Sequence, residues 1–185
     1  MNKAFFLDRD GVINVDVDYL HRPEDVVLIP GTAEAVNRIH AAGYLAVVVS
    51  NQSGVARGMF TMDAVKSVEK RIGELLAEQG AALDAFYYCP HHRNGIVPEL
   101  KCECSCRKPK PGMILQAAKD LDIDISQSFL IGDQLTDLAA ADAAGCAAAV
   151  MVQTGYGMKN TPEAMKEGRI VRPSIAEAVE YLLKK

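Results

Sequence analysis

With 185 residues the chain is long enough for one domain with a sizeable core and leaves little room for a second. Hydrophobic residues at 49% and charged residues at 24% match ordinary globular composition and exclude wholesale disorder. A net charge of -4 excludes a broad basic footprint for nucleic acid or an anionic membrane, leaving only Arg107, Lys108 and Lys110 as a local cluster able to hold a small anion.

In chain order the first expected element is a strand over Ala4–Leu7, a short apolar block. A helix over residues 32–42 follows a Pro-Gly-Thr start and repeats apolar residues at Ala35, Val36 and Ile39. A strand over residues 44–49 leads to a helix over residues 61–79, with Thr61 as N-cap, apolar positions at Val65, Val68, Ile72, Leu75 and Leu76, and Gly80 as the stop. Next come a strand over residues 85–88, a helix over residues 111–119 opened by Pro111, and a strand over residues 128–131. An alanine-rich helix ended by Gly145, a strand over residues 147–152 and a last helix capped by Ser174 with Glu177 complete the pattern. Such alternation predicts an α/β fold with a mostly parallel sheet between helices.

Two stretches break the alternation: residues 11–29, expected as an extended flap, and residues 89–109, a loop longer than usual. The apolar start of MNKAFFLDRD is too short for a signal segment and no later run has membrane-spanning length, so a cytoplasmic protein is expected. Four of the five cysteines lie between Cys89 and Cys106 beside two histidines, a grouping that in a reducing compartment points to metal rather than disulfides.

Three apolar strands deliver polar groups at their carboxyl ends: Asp8 and Asp10, then Ser50 and Asn51, then Asp133. Open α/β sheets bind ligands at that edge. In order, the stretches DRDGVIN, SNQSGVARG, CRKPKPGM and GDQLTD resemble the four motifs of the haloacid-dehalogenase (HAD) superfamily, and the resemblance runs from Asp8 to about Thr154. CPHH followed by CECSCRKPKPGM resembles its zinc-containing branch of heptose-bisphosphate and histidinol phosphatases.

The resemblance implies a Rossmann-like fold with no large cap domain and a phosphatase acting through a phospho-aspartate. Asp8 is then the nucleophile, because a carboxylate attacking phosphorus splits one hard step into two. Asp10 protonates the leaving oxygen and later deprotonates water. Two anions facing a phosphate call for a hard cation, and the resemblance gives Mg²⁺ the Asp8 carboxylate, the Asp10 backbone carbonyl and Asp133. Ser50 donates to the phosphoryl group and Lys108 neutralises its developing charge. Asp137 is open to three readings: orienting Lys108, an outer metal partner, or an ordinary helix-face aspartate.

Substrate contacts implied by the resemblance are Asp16, Val17, Asp18 and Tyr19 together with Ser50, Asn51, Gln52 and Ser53. Arg107 has the planar fork for a second phosphate or a sugar hydroxyl. Gln134 stands where the heptose enzymes often carry lysine and offers a hydrogen bond without charge. Zinc needs four ligands and the loop offers six. The family pattern anchors the last cysteine before Arg-Lys-Pro and so selects Cys89, His91, Cys104 and Cys106, with His92 and Cys102 spare or substituting. Cys146, after an alanine-rich helix, reads as a small hydrophobe.

The implied reaction is removal of the 7-phosphate from a heptose 1,7-bisphosphate by a monomer whose only partner is that small phosphorylated sugar. Histidinol phosphate is the rival substrate, a nucleic-acid 3′-phosphatase is disfavoured by the acidic balance, and an inactive zinc-stabilised module is the reading from outside enzymology. Arg9 has no role in this scheme.

Overall fold

The computed structural model describes residues 1–185. Its central strand, β1 (Ala4–Leu7), has all four side chains buried, as expected of a strand covered on both faces. Alternation sends Phe5 and Leu7 into one core and Ala4 and Phe6 into the other. Around β1 the chain adds α1 (Thr32–Ala41), β2 (Leu45–Asn51), α2 (Met62–Ala77) and β3 (Ala85–Cys89) on one side. It then crosses through α3 (Gly112–Asp120) to β4 (Phe129–Gly132), α4 (Leu135–Ala144), β5 (Ala148–Val152), α5 (Gly157–Lys166), β6 (Ile170–Arg172) and α6 (Ile175–Leu182).

All five strand pairings are parallel, in the order β3-β2-β1-β4-β5-β6. The order reverses beside β1, so the crevice between β1 and β4 is the topological switch point where ligands bind in such sheets. A 24-residue core packs α1, α2 and α6 on one face, and a 12-residue core packs α3 and α4 on the other. The fold is the expected Rossmann-like α/β arrangement, and none of its helices is long and apolar enough to cross a membrane.

Several boundaries differ from expectation, each for a physical reason. Strands β2, β3 and β4 run on to Asn51, Cys89 and Gly132, because the ladder pairs Ser50 with Tyr88, Asn51 with Cys89 and Gly132 with Met151 whatever the side chains are. Ser50, Asn51 and Cys89 therefore sit on sheet backbone rather than on loose turns. Helix α5 and strand β6 were not expected: α5 contains Pro162 and buries only Gly157 and Ala164, and β6 has three half-buried residues. At α6, Ser174 Oγ accepts from Ala176 N at 3.2 Å while its hydroxyl donates to Glu177 at 2.6 Å, so the cap closes one residue earlier than a full capping box.

The stretch at residues 11–29 is not an extended flap. Bridges between Asp10 and Asn14 and between Asn14 and Leu28 fold it back, and Val12, Ile13, Leu20, Val26 and Ile29 are buried. Only a single 3-10 turn at Pro23–Asp25 is regular.

Phe6, fully buried in the smaller core, measures how far the site depends on that layer. Phe6→Ala is expected to lower the free energy of unfolding by about 3–5 kcal/mol in urea titrations. A change under about 1 kcal/mol would show that the layer collapses around the gap.

Candidate active site

Asp8 is the first residue past β1, and its N–H is bonded to the Ile131 carbonyl of β4 at 3.0 Å. Its Oδ1 accepts from Arg9 N at 2.8 Å and from Lys108 Nζ at 3.0 Å. Lys108 arrives from the long loop before α3, pinned by a reciprocal pair with Asn51 at 3.0 and 3.2 Å. Its buried ammonium also reaches the Val49 carbonyl at 2.8 Å and Asp137 Oδ1 at 2.6 Å. Burial alone would lower the Lys108 pKa, but Asp137 and Asp8 outweigh it and hold the amine charged. Asp137 makes the ion pair that the first of its three readings requires, and its Oδ2 accepts from Gln134 N at 2.9 Å at the start of α4. Gly132 makes room for it, since a Cβ there would lie 2.3 Å from Asp137 Cβ.

Burial pushes the Asp8 carboxyl up to about 7, with the Asp137 and Asp10 charges adding to the rise and Lys108 opposing it. Asp133, fully buried past β4, goes up to about 8 through burial and then through Asp8 and Asp137. Its Oδ2 accepts from Tyr156 N at 2.7 Å, whereas its Oδ1 is buried with no partner. Carboxylate oxygens of Asp8, Asp133 and Asp137 lie within 4.8 Å of one another. An orphaned buried oxygen in a cluster of hard oxygen donors fits a hard divalent cation such as Mg²⁺. Asp137 is already engaged through both oxygens, which leaves Asp8 and Asp133 as the carboxylate donors. Two glycines close on Asp133: a Cβ at Gly11 or at Gly155 would stand 2.3 Å from its Oδ2, and both have positive φ.

Asp10 faces the same crevice. Gln52 Nε2 bridges Asp10 Oδ2 and Ser50 Oγ, at 3.1 Å to each, so the Ser50 hydroxyl and the second aspartate are held in register. Above them opens a cleft of about 260 Å³. Its walls take in Asp8, Asp10, Asp16, Asp18, Tyr19, Ser50, Asn51, Gln52, Ser53, Arg107, Lys108 and Gln134. Val17 does not line it: an Asx turn from Asp16 Oδ1 to Asp18 N turns the two aspartates inward and leaves Val17 49% exposed. Gly54, Thr136, Asp137 and Tyr156 also line the cleft. Tyr156 follows β5, and its hydroxyl donates to Asp18, closing one side of the mouth. The polar stretch QTGYG at the end of a fourth strand was the signal for it.

In the long loop, Cys89, His91, Cys104 and Cys106 converge. Their sulfur–sulfur distances are 3.1, 3.3 and 3.5 Å, and His91 Nδ1 lies 3.4 Å from Cys106 and 3.8 Å from Cys89. A tetrahedron with metal–sulfur bonds near 2.3 Å has edges of about 3.7 Å, so a three-thiolate, one-imidazole zinc fits after small adjustment. His92 is engaged elsewhere, with Arg57 Nη2 at 3.2 Å and Asn94 N at 3.1 Å, and Cys102 is exposed. Cys146 packs against the smaller core, as a hydrophobe would.

The HAD-hydrolase-like family model matches residues 105–178. The D-glycero-beta-D-manno-heptose-1,7-bisphosphate 7-phosphatase of Pasteurella multocida (strain Pm70) is 44% identical over 177 residues, covering 96% of this chain and 95% of that one. The protein of that name from Escherichia coli (strain K12) is 42% identical over 181 residues, covering 98% and 94%. Among solved structures, the D,D-heptose 1,7-bisphosphate phosphatase of B. bronchiseptica, complexed with magnesium and phosphate, superposes with a TM-score of 0.87 at 37% identity over 98% of both chains. With the switch-point carboxylates, the buried lysine and identity at this level along nearly its whole length, the chain belongs to the HAD-like hydrolases, in the family of the heptose-1,7-bisphosphate 7-phosphatases.

Proposed function

We propose that this protein hydrolyses the 7-phosphate of D-glycero-β-D-manno-heptose 1,7-bisphosphate through a phospho-aspartate on Asp8, with Mg²⁺ in the crevice and a structural Zn²⁺ in the long loop. The observation that carries the reading is the buried Lys108 ammonium, 3.0 Å from the Asp8 carboxylate at the mouth of the switch point. The relatives' names supply the substrate and its anomer.

Asp8 attacks phosphorus as the bond to the sugar oxygen breaks, and Asp10 gives that oxygen its proton. Water then attacks the acyl phosphate while Asp10 takes the water proton, which releases inorganic phosphate and restores Asp8. Lys108 and the Ser50 hydroxyl stabilise charge on the transferring group. Asp8, Asp133 and the Asp10 carbonyl would hold Mg²⁺, which would supply the positive charge that lets carboxylates and phosphate share the site.

Asp16, Asp18 and Tyr19 offer acceptors and a hydroxyl to the sugar, while Asn51, Gln52, Ser53 and Gln134 line the phosphate end. Arg107 has a buried Nη1 without a partner, free for the second phosphate. The zinc site comes immediately before Arg107 and Lys108 in sequence, so tethering Cys104 and Cys106 fixes where those two cations enter the cleft. A thiolate-bound zinc suits the reducing cytoplasm. Residues 11–29 and 89–109 then act as wall and tether of a single domain.

The kcat/KM for the heptose bisphosphate is expected to exceed that for histidinol phosphate, and the reverse order would replace the substrate while leaving the chemistry. Asp8→Asn is expected to lower kcat by on the order of 10³-fold or more, and a variant retaining wild-type turnover would rule out the covalent intermediate. Removing zinc with a chelator is expected to abolish most activity in a way that added Mg²⁺ does not reverse and added Zn²⁺ does. Full activity of zinc-free protein in Mg²⁺ would remove the structural role of the loop site.

A further inference from the structure

Arg9 stands between the two aspartates of DRD, and its side chain is wholly shielded from solvent. A buried guanidinium persists only when it is paired. Its ion-pair partner is Asp10: Nε lies 3.2 Å from Oδ1, and Nη2 lies 3.0 Å from Oδ1 and 2.9 Å from Oδ2. Buried Asn14 adds a third donor contact to Oδ1, from Nδ2 at 2.9 Å. Oδ1 is thereby saturated from the interior side. Oδ2 carries two contacts, Nη2 and the neutral amide of Gln52, and Asp10 lines the cleft.

Fold stability alone does not account for this arrangement. Nη2 makes one long contact of 3.4 Å to the Leu20 carbonyl, and Nη1 is buried with no partner at all. A residue chosen only to fill the interior would not leave a donor unsatisfied there. The planar fork is committed to one carboxylate, and that carboxylate carries the proton in the reaction above.

We infer that Arg9 is a positioning residue for proton transfer: with Asn14 it immobilises Oδ1 of Asp10 and so presents Oδ2, beside Gln52, to the leaving oxygen and then to water. The inference rests on the acid/base role given to Asp10. Lysine in its place would keep the positive charge but lose the fork, leaving Asp10 free to turn.

The test uses Arg9→Lys with two substrates. The sugar bisphosphate releases a poor leaving group that needs a proton, whereas p-nitrophenyl phosphate releases a stable anion that does not. With the sugar bisphosphate, kcat of Arg9→Lys is expected to fall on the order of 10²-fold while KM changes little. With the aryl phosphate, stopped-flow mixing is expected to show a burst of nitrophenolate larger than in wild type, because phosphoenzyme forms without an acid and then waits for Asp10 to activate water. Equal loss on both substrates without a burst, or full retention of activity, overturns the inference. Asn14→Ala loosens Oδ1 without removing a buried charge, and it is expected to show the same split to a smaller degree, so a misfolded Arg9→Lys does not end the test; absence of any split in folded Asn14→Ala counts against the inference. If wild type fails to turn over the sugar bisphosphate the proposed substrate falls, and the aryl-phosphate burst still decides the role of Arg9.

Discussion

The Lys108 ammonium sits between Asp8 and Asp137 with almost no access to water, and much of the molecule is arranged around keeping it there. Removing one partner from such a buried group costs about 3–5 kcal/mol, because a charge is then left without compensation. The lysine reaches the sheet only because the long loop doubles back, and Asn51 at the end of β2 receives its backbone from the other side. Asp137 meets it one turn after β4 because Gly132 leaves the space its side chain fills. Three separate segments thus converge on one cation. In the loop that carries it, Cys104 and Cys106 meet Cys89 of the edge strand just before Arg107, so a metal bound there would help to set where the Lys108 charge lies.

The electrostatics leave the crevice short of positive charge. Asp8, Asp133 and Asp137 cluster with Lys108 as the one cation among them, which is why burial drives Asp8 and Asp133 so far above ordinary carboxylates. Arg9 is spoken for by Asp10. The imbalance is what a divalent ion corrects, and the unpartnered Asp133 Oδ1 is the oxygen left open for it. Gly11 and Gly155 serve the same end, since their bare Cα atoms let two loops close over Asp133, where the Thr154 hydroxyl joins them by donating to the Gly11 carbonyl.

Strand cores and the polar groups at their ends were legible in the sequence because both are local: an apolar block such as AFFL announces burial, and an aspartate directly after it announces the sheet edge. Five of the six strands lie within two residues of expectation at each end, and β1 matches at both. What sequence could not show was pairing. Ser50 and Asn51 fall beyond the expected strand end at residue 49, yet they are ladder residues because β3 runs alongside. Asp137 stayed open among three readings in the sequence, because its contact with Lys108 spans 29 positions. Val17 was grouped with its neighbours, although an Asx turn divides that segment into inward and outward residues. The proline in α5 masked a helix whose burial rests on only two positions.

The two sides of the switch point divide the work. From β4 and β5 come Asp133, Gly155 and Tyr156, which shape the corner where the proposed cation would sit. From β2 and the long loop come Ser50, Gln52, Arg107 and Lys108, which line the cleft where the proposed mechanism puts the phosphate. Only β1 contributes to both, through Asp8 on the metal side and Asp10 on the side of Gln52 and Ser50. In the proposed mechanism a single-residue spacing separates attack from proton transfer, so the two carboxylates must be held at different angles by different partners. Lys108 does this for Asp8 and Arg9 for Asp10, each a buried cation supplied from a different direction. The two carboxylates that follow β1 are thus held by two ion pairs, and in the proposed mechanism Arg9, between them, keeps their roles apart.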